Sequence, residues 1–261
     1  MSLFKKDIFG HYHITKRFLY LIFGLPAHWR FQKINNPKIE GGEILSKLPE
    51  ENVLFVSNHQ TYFADVAFMF LVFAGQRSGF IDRLGPFRVV LTPRLNAYFV
   101  AAQETMKAGF LPKLFSYAGG ILIKRTWREA GKDINRQVDM QDISKINEGL
   151  ADGWVVTFPQ GTTTPYVKGR KGTAHIIKTN KPVVVPVVIN GFRRAFDKKG
   201  LLIKKKGVDI SVRFKEPIQI DYDADKSAIL DQIMEAIEQT DAFKQPNNKP
   251  SEEKLQQQSN A

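Results

Sequence analysis

The most constraining feature of the chain is an alternation, beginning at Val53, of short β-rich runs with longer stretches of helical spacing. The runs read VLFVS, NAYFVAA, GILIK, WVVTFP and VVVPVVI, at residues 53–57, 96–102, 120–124, 154–159 and 183–189. Strands that alternate with helices favour a parallel sheet with helices on its faces. The sequence therefore predicts an α/β fold with a mostly parallel central sheet flanked by helices.

Helices are expected between these strands, at about residues 65–74 and 104–117. Residues 201–220 alternate on both sides of Gly207, which is typical of a β-hairpin at a sheet edge. The last predicted helix carries an apolar stripe made of Ile229, Ile233 and Ile237.

Residues 1–35 combine aromatic with basic side chains, as in the runs FKKDIFGHYH and TKRFLYLIF. Amphipathic helices of this composition lie in lipid interfaces; the alternative is a pair of helices that cover one face of the core. We therefore divide the chain into an N-terminal amphipathic, membrane-associating helical segment (1–35), an α/β domain (36–243) and a disordered tail rich in Pro, Asn and Gln (244–261).

The charge indicates the kind of partner. A formal net charge of +12 points to an anionic partner, and the 20 phenylalanines favour a membrane surface over nucleic acid. No apolar run approaches the roughly 20 residues that span a bilayer, and we see no secretory signal. The expected location is therefore the cytoplasm, peripheral on the inner face of the cytoplasmic membrane, with no nucleic acid bound.

Cysteine and histidine usage limits the chemistry. The chain has no cysteine, which excludes thiol catalysis and Cys-ligated metals, and its five histidines do not cluster, so no metal is expected. Four of the histidines are expected to be interfacial polar groups or an ordinary packed or surface residue: His11, His13, His28 and His175.

His59 differs from the other histidines because it lies directly after the strand VLFVS, with Asp65 a few residues further on. Functional residues of parallel α/β sheets gather beyond the carboxyl ends of the strands. The two residues are therefore candidates for a reaction centre. The alternative is that Asn58 caps a helix and His59 makes only a local hydrogen bond.

Two more strand ends carry candidate side chains. The loop FPQGTTT is rich in hydroxyl and backbone N–H groups, which suit an oxyanion or a phosphate, and Lys124 and Arg125 end the strand GILIK. The alternatives are an ordinary strand-to-helix loop and a pair of surface cations. Because the strands are expected to be parallel, the three loops should converge at one edge of the sheet. The candidate binding residues of the FPQGTTT loop are Phe158, Pro159, Gln160, Gly161, Thr162 and Thr163.

Four motifs in this chain resemble the sequence blocks of the glycerolipid acyltransferase superfamily, which includes bacterial 1-acylglycerol-3-phosphate acyltransferases. SNHQTYFAD is similar to the first block, with its Asn-His and downstream Asp, and GGILIKR is similar to the second. FPQGTTT resembles the third block, usually FPEGTRS, and VVVPVVI resembles the fourth, an apolar strand with a central Pro. The four blocks occur in order between about residues 52 and 190, which makes the resemblance specific.

The resemblance implies an O-acyltransferase of membrane lipid biosynthesis, which moves a fatty acyl group from a thioester to the hydroxyl of a lysolipid. His59 would act as general base on that hydroxyl, and Asp65 would orient the imidazole, as the acid does in Ser-His-Asp systems. The donor would be an acyl carrier protein or coenzyme A thioester, and no cofactor is expected.

The remaining family positions imply substrate binding. Asn58 and the third block would hold the substrate, with backbone amides around Gly161 and Thr162 at the tetrahedral oxyanion. Arg125, with Lys124, would anchor a phosphate or another polar head group.

The spacing within the first block departs from the family pattern. Five residues separate His59 from Asp65, where the family usually has four. On a regular helix these two side chains point in different directions. We therefore predict that residues 58–63 form a turn, that the helix begins near Ala64, and that Asp65 lies within hydrogen-bond reach of His59.

The third block departs at two positions: Gln160 replaces a Glu and Thr163 replaces the Arg often assigned to the acceptor's phosphate. We therefore hypothesise that the acceptor is a lysolipid other than 1-acylglycerol-3-phosphate, such as a lyso-aminolipid. A diverged inactive relative and a non-enzymatic basic protein that binds membranes or nucleic acid remain as alternatives.

Overall fold

The structure, a computed structural model, describes residues 6–10, 12–91, 96–107, 109–125, 128–129, 132–133 and 139–244. Its strands are β1 (Asn36–Glu40), β2 (Val53–Ser57), β3 (Ala97–Ala102), β4 (Gly120–Ile123), β5 (Arg128–Glu129), β6 (Lys132–Asp133), β7 (Trp154–Thr157), β8 (Val183–Asn190) and β9 (Asp209–Phe214). Its α-helices are α1 (His13–Trp29), α2 (Gly42–Lys47), α3 (Ala64–Gln76), α4 (Arg88–Leu91), α5 (Gln103–Lys107), α6 (Phe110–Ser116), α7 (Met140–Asp152), α8 (Lys171–Asn180), α9 (Phe192–Ala195) and α10 (Lys226–Ala236).

Seven of the described strands form one sheet, in the order β1-β9-β8-β2-β7-β3-β4. All neighbours in this sheet are parallel except β8 and β9, which are antiparallel. Strands β5 and β6 form a separate antiparallel pair. The predicted α/β fold with a mostly parallel central sheet is therefore confirmed.

The central strands are apolar because both of their faces are covered. Every residue of β2 and β7 is buried, as expected for strands of a parallel sheet between two layers of helices. One core lies against α3 and contains Phe55 and Phe73, and the other lies against α7, α8 and α10 and contains Leu54 and Ile233. This rigid double layer fixes the positions of the strand ends.

The predicted hairpin over residues 201–220 is wrong. Strand β9 pairs with β1 on one side and β8 on the other, so it is an interior strand and β1 forms the edge. The segment before Gly207 closes on itself instead, since the carboxylate of Asp197 accepts hydrogen bonds from the amides of Leu201 and Leu202. The alternation of apolar and polar residues in β9 therefore reflects which side chains are buried, and it does not indicate a hairpin partner.

The predicted helix over residues 104–117 is divided into α5 and α6, and α6 has Gly109 as its N-cap residue. The helix predicted over residues 65–74 is confirmed as α3. The predicted tail lies outside the described residues from residue 245 onward, as do the side chains of His11 and His13.

Helix α1 packs on the core through side chains such as Leu19, yet it also buries two polar side chains and exposes four apolar ones. It buries Lys16 and His28, each less than a tenth exposed, while four apolar side chains of the helix are exposed by 42–60%. His28 was predicted to be interfacial, but its Nε2 lies 2.6 Å from the carbonyl oxygen of Gly85 inside the protein. Burial lowers the pKa of Lys16 to about 8. The exposed side chains are Ile14, Phe18, Ile22 and Trp29.

Candidate active site

The carboxyl ends of four neighbouring strands, β2, β7, β3 and β4, open onto one cavity of about 570 Å³. His59 lines it from the end of β2, Phe158 from the end of β7, and Lys124 from the end of β4. Much of the remaining wall is apolar, including Val66 and Met106. The three predicted loops therefore converge, as expected from the parallel order of the strands.

The turn between β2 and α3 is organised by the carboxylate of Asp65, which is fully buried. One oxygen, Oδ2, accepts hydrogen bonds from the amides of Gln60 (2.5 Å) and Thr61 (3.0 Å), and Oδ1 accepts one from the Thr61 hydroxyl (2.7 Å). Helix α3 begins at Ala64, so Asp65 lies in its first turn, where a carboxylate is favoured. Residues 58–63 form the turn that the spacing required.

The same carboxylate holds the imidazole of His59. Nδ1 of His59 lies 2.9 Å from Oδ2 of Asp65, which confirms the predicted contact. Since a carboxylate only accepts hydrogen bonds, Nδ1 carries a proton, and in the neutral imidazole Nε2 then keeps its lone pair. The ring is also stacked on Phe158, with centroids 3.9 Å apart, and its side chain is 13% exposed. Two contacts thus fix both the tautomer and the plane of the ring.

The side chain of Asn58 is bonded to the neighbouring strand β8. Its Nδ2 donates to the carbonyl oxygen of Ile189 (2.9 Å), and its Oδ1 accepts from the amide of the same residue (2.8 Å). The side chain is buried and continues the pairing of β2 with β8 one residue beyond the strand. Asn58, which the sequence predicts to bind substrate, therefore ties the end of β2 to β8 directly before His59.

The third block forms a tight turn on the other side of His59. Pro159, Gly161, Thr162 and Thr163 all line the cavity with Phe158. The backbone at Gly161 has φ +63°, a left-handed conformation, and its amide donates to the carbonyl oxygen of Phe158 (2.9 Å). This bond engages one of the two amides predicted to hold an oxyanion, which leaves Thr162 as the candidate of the two.

Gln160 points into the protein interior and is only 1% exposed. Its Nε2 donates to the carbonyl oxygen of Val167 (3.0 Å) and to Oε1 of Gln239 (3.2 Å). Oε1 of Gln239 also accepts from the amide of Tyr166 (3.1 Å). Gln160, which the sequence predicts to bind substrate, therefore supports the loop from its interior side. The family's Glu, when ionised, could not donate these hydrogen bonds.

The two cations of the second block face carboxylates. Nζ of Lys124 lies 3.0 Å from Oδ2 of Asp139 and holds the pKa of that carboxyl below its usual range. Arg125 donates to Oε1 of Glu104 at 2.5 Å. Both cations line the cavity as predicted, but their charges are partly neutralised. Exposed ion pairs contribute only about 0–1 kcal/mol, so an incoming anion can displace Asp139 from Lys124 at small cost. The Arg125–Glu104 pair is partly buried.

Two residues that the sequence did not assign to the site line the cavity, His175, which was expected to be an ordinary packed or surface residue, and Lys226. Lys171, one of the cations that follow the FPQGTTT loop in the sequence, lines it too. Burial and then the nearby charge of Lys226 lower the pKa of His175. Helices α8 and α10 pack together and bring the two side chains close, which no local pattern could indicate. Within the described part of the chain, no group of three or more His, Asp or Glu side chains could hold a metal ion.

Comparison with known proteins agrees with this fold and these motifs. Residues 36–190, more than half of the chain, match the family model described as Acyltransferase, so the chain belongs to the acyltransferase family. This confirms the family resemblance of the four motifs. No curated protein matches the chain.

The chain also resembles solved structures in its fold. One of them is the crystal structure of the 1-acyl-sn-glycerophosphate (LPA) acyltransferase PlsC from Thermotoga maritima, with a TM-score of 0.55 and 18% sequence identity. The similarity covers 86% of this chain and 77% of that chain. At this identity the match supports the fold of the chain and not its substrate.

Restoring the family's Glu by Gln160→Glu should destabilise the protein by about 1–3 kcal/mol near neutral pH. A carboxylate there would face the carbonyl oxygen of Val167 and Oε1 of Gln239 without a proton to donate. Burial raises the pKa of such a carboxyl. The protonated form has one proton and can replace one of the two hydrogen bonds, so the loss of stability should be smaller at low pH and grow as pH rises through the raised pKa. Urea unfolding at about pH 5 and about pH 8 measures both effects.

Gln160→Met is the matched control, because it loses the same hydrogen bonds without adding a titrating group. Its loss of stability relative to wild type should therefore be the same at both pH values. A Gln160→Glu protein as stable as wild type at the higher pH would mean that the side chain turns away from Gln239.

Proposed function

We propose that the protein transfers a fatty acyl group from an acyl carrier protein or coenzyme A thioester to the hydroxyl of a lysolipid. The observation that carries the proposal is the His59–Asp65 hydrogen bond of 2.9 Å at the wall of a largely apolar cavity. No cofactor is required, since the acyl donor is itself a substrate.

The proposed chemistry follows from the tautomer of His59 that the bond to Asp65 favours. Nε2 of His59 takes the proton of the lysolipid hydroxyl while that oxygen attacks the thioester carbonyl, and Asp65 stabilises the imidazolium. In this mechanism the amide of Thr162, a residue at the cavity wall, donates to the oxyanion of the tetrahedral intermediate. Collapse of the intermediate breaks the carbon–sulfur bond, and the imidazolium returns its proton to the thiolate. No covalent acyl-enzyme is formed.

The cavity offers apolar surface for an acyl chain and cations for the anionic groups of such substrates. A second, apolar cavity beneath α1 shares the walls formed by Tyr62, Val66 and Phe99, so apolar surface continues inward from His59. This surface suits an acyl chain. At the opposite side, Lys124 and Lys226 suit the anionic groups of the thioester carrier or of the acceptor.

His59→Gln should lower the rate of acyl transfer by about 10²–10⁴-fold, because the variant keeps a hydrogen-bonding side chain but removes the base. The rate would be measured with purified protein, labelled acyl-coenzyme A or acyl carrier protein thioester, and a lysolipid acceptor. Thermal unfolding close to that of wild type would show that the variant is folded.

His175→Gln is the matched comparison, since His175 lies in the same cavity. It should retain most of the activity at saturating substrate. The opposite result, with His175→Gln inactive and His59→Gln active, would move the general base to His175 and refute the proposed pair.

The acceptor is proposed to be a lysolipid whose head group differs from glycerol phosphate. The family's Arg at position 163 is Thr here, and the partly buried Arg125 is paired with Glu104. These features weaken the case for a phosphate monoester. A lyso-aminolipid or another lysophospholipid fits the remaining polar groups.

An acceptor screen tests this refinement. Wild-type protein with a labelled acyl donor should acylate a lyso-aminolipid or another lysophospholipid faster than 1-acylglycerol-3-phosphate at equal concentration. Equal or faster acylation of 1-acylglycerol-3-phosphate would show that the altered third block does not change the acceptor. The acyltransferase proposal itself would survive that result.

We further propose that the protein is cytoplasmic and peripheral on the inner face of the cytoplasmic membrane, with α1 as its contact. The exposed apolar stripe of α1 supports this, since Phe18 is 60% and Trp29 57% exposed. An amphipathic helix binds an interface through such a face. No helix of the described residues is long and apolar enough to cross a membrane.

Replacing the stripe by Phe18→Ser and Ile22→Ser should reduce flotation of the full-length protein with lipid vesicles several-fold, because the buried apolar area falls. A suitable control is Ile81→Ser, which removes an apolar side chain of similar exposure outside α1. Undiminished flotation of the α1 variant would exclude α1 as the main contact.

A further inference from the structure

The loop between α9 and β9 presents an unusual surface. We call residues 197–206, DKKGLLIKKK, the basic loop. Its five lysines are exposed, and between them Leu202 is 69% exposed. Its one acidic residue, Asp197, is folded inward as the acceptor for two backbone amides of the loop. An exposed leucine between two groups of lysines is the combination that an anionic lipid surface binds.

The conformation of the basic loop is fixed before any partner binds. The amide of Asp197 donates to the carbonyl oxygen of Leu202 (2.9 Å), and Phe196 forms a β-bridge with Ile203. Gly200 has φ +78°, and its amide donates to the carbonyl oxygen of Asp197 (2.9 Å). The closed turn keeps Leu202 on the outside, so binding through this side chain needs little ordering of the backbone.

The basic loop lies at the end of the exposed stripe of α1. The guanidinium of Arg30, directly after Trp29, donates to the carbonyl oxygen of Leu201 and lies 5.3 Å from the ring centroid of Phe196. The loop is therefore attached to the carboxyl end of α1. A surface that contacts the apolar stripe of α1 is brought next to Leu202 and the lysines around it.

The basic loop is also bonded to the turn that carries the catalytic pair. The amides of Tyr62 and Phe63 donate to the carbonyl oxygens of Lys198 (3.1 Å) and Lys199 (3.0 Å). A Cβ on Gly200 would lie 2.8 Å from the Thr61 hydroxyl oxygen. The loop therefore packs directly against the backbone that positions His59 and Asp65.

From these contacts we infer that the basic loop is a second membrane contact, which binds anionic lipid head groups through its lysines and inserts Leu202 among them. Continuity with the apolar stripe of α1 favours a lipid surface over an acidic protein. The contact would orient the catalytic turn toward the bilayer that supplies the acceptor. The inference does not require acyl transfer, because its test measures binding.

The test uses the full-length protein and vesicles of phosphatidylcholine with or without phosphatidylglycerol. The loop variant carries Leu202→Ser, Lys205→Glu and Lys206→Glu. The charge control carries Lys47→Glu and Lys181→Glu, two exposed lysines elsewhere, so both proteins have the same net charge. Sedimentation with vesicles gives the partition coefficient of each protein, and thermal unfolding checks that each is folded.

Wild type should bind the anionic vesicles more tightly than the neutral ones. The loop variant should lose about tenfold or more of its affinity for anionic vesicles, since each lysine near an anionic surface contributes measurably. The charge control should remain close to wild type. Equal losses in the two variants would reduce the effect to net charge and overturn the inference.

An acidic acyl carrier protein is the alternative partner of the basic loop. Wild type, the loop variant and the charge control also distinguish this partner from a membrane. If the loop variant binds vesicles like wild type but loses binding to the acyl carrier protein in a vesicle-free pull-down, the loop is a protein-docking surface and the membrane inference is wrong. If vesicle binding falls and carrier-protein binding is unchanged, the membrane inference stands, whatever the catalytic activity of the protein proves to be.

Discussion

The buried carboxylate of Asp65 is the interaction on which the site depends. A buried charge without partners is costly, and this one is compensated by donors from Gln60, Thr61 and His59. Satisfying the carboxylate requires the chain to turn between β2 and α3, and that turn brings His59 back over the first turn of the helix. The alternative in which Asn58 caps a helix is wrong, because the N-cap residue of α3 is Phe63 and the side chain of Asn58 bonds to Ile189.

Around this pair, some residues support the site and others line the cavity. Asn58 and Gln160 lie in family motifs, yet both are buried and bonded to backbone or to another amide. Phe158, Thr162 and Lys124 line the cavity. Motif membership therefore does not by itself indicate substrate contact, because a precise active site needs positioned supports as much as reactive groups.

The sequence was most informative where a local pattern reflects burial directly. Strands such as VLFVS could be predicted because a strand covered on both faces has to be apolar throughout. It was misleading for residues 201–220, since alternation shows that one face is buried but not which element buries it. It did not assign His175 or Lys226 to the site, because these residues reach the cavity only through the packing of α8 against α10.

By itself, the sequence determined the α/β fold, the order of the four motifs and the three strand ends that carry them. It also required a turn before Asp65, since a regular helix would point the pair apart. Only the tertiary structure decided which way the side chains face. The side chain of Gln160 faces the interior, Lys124 and Arg125 pair with carboxylates, and four apolar side chains of α1 are exposed, because each outcome depends on neighbours distant in the chain.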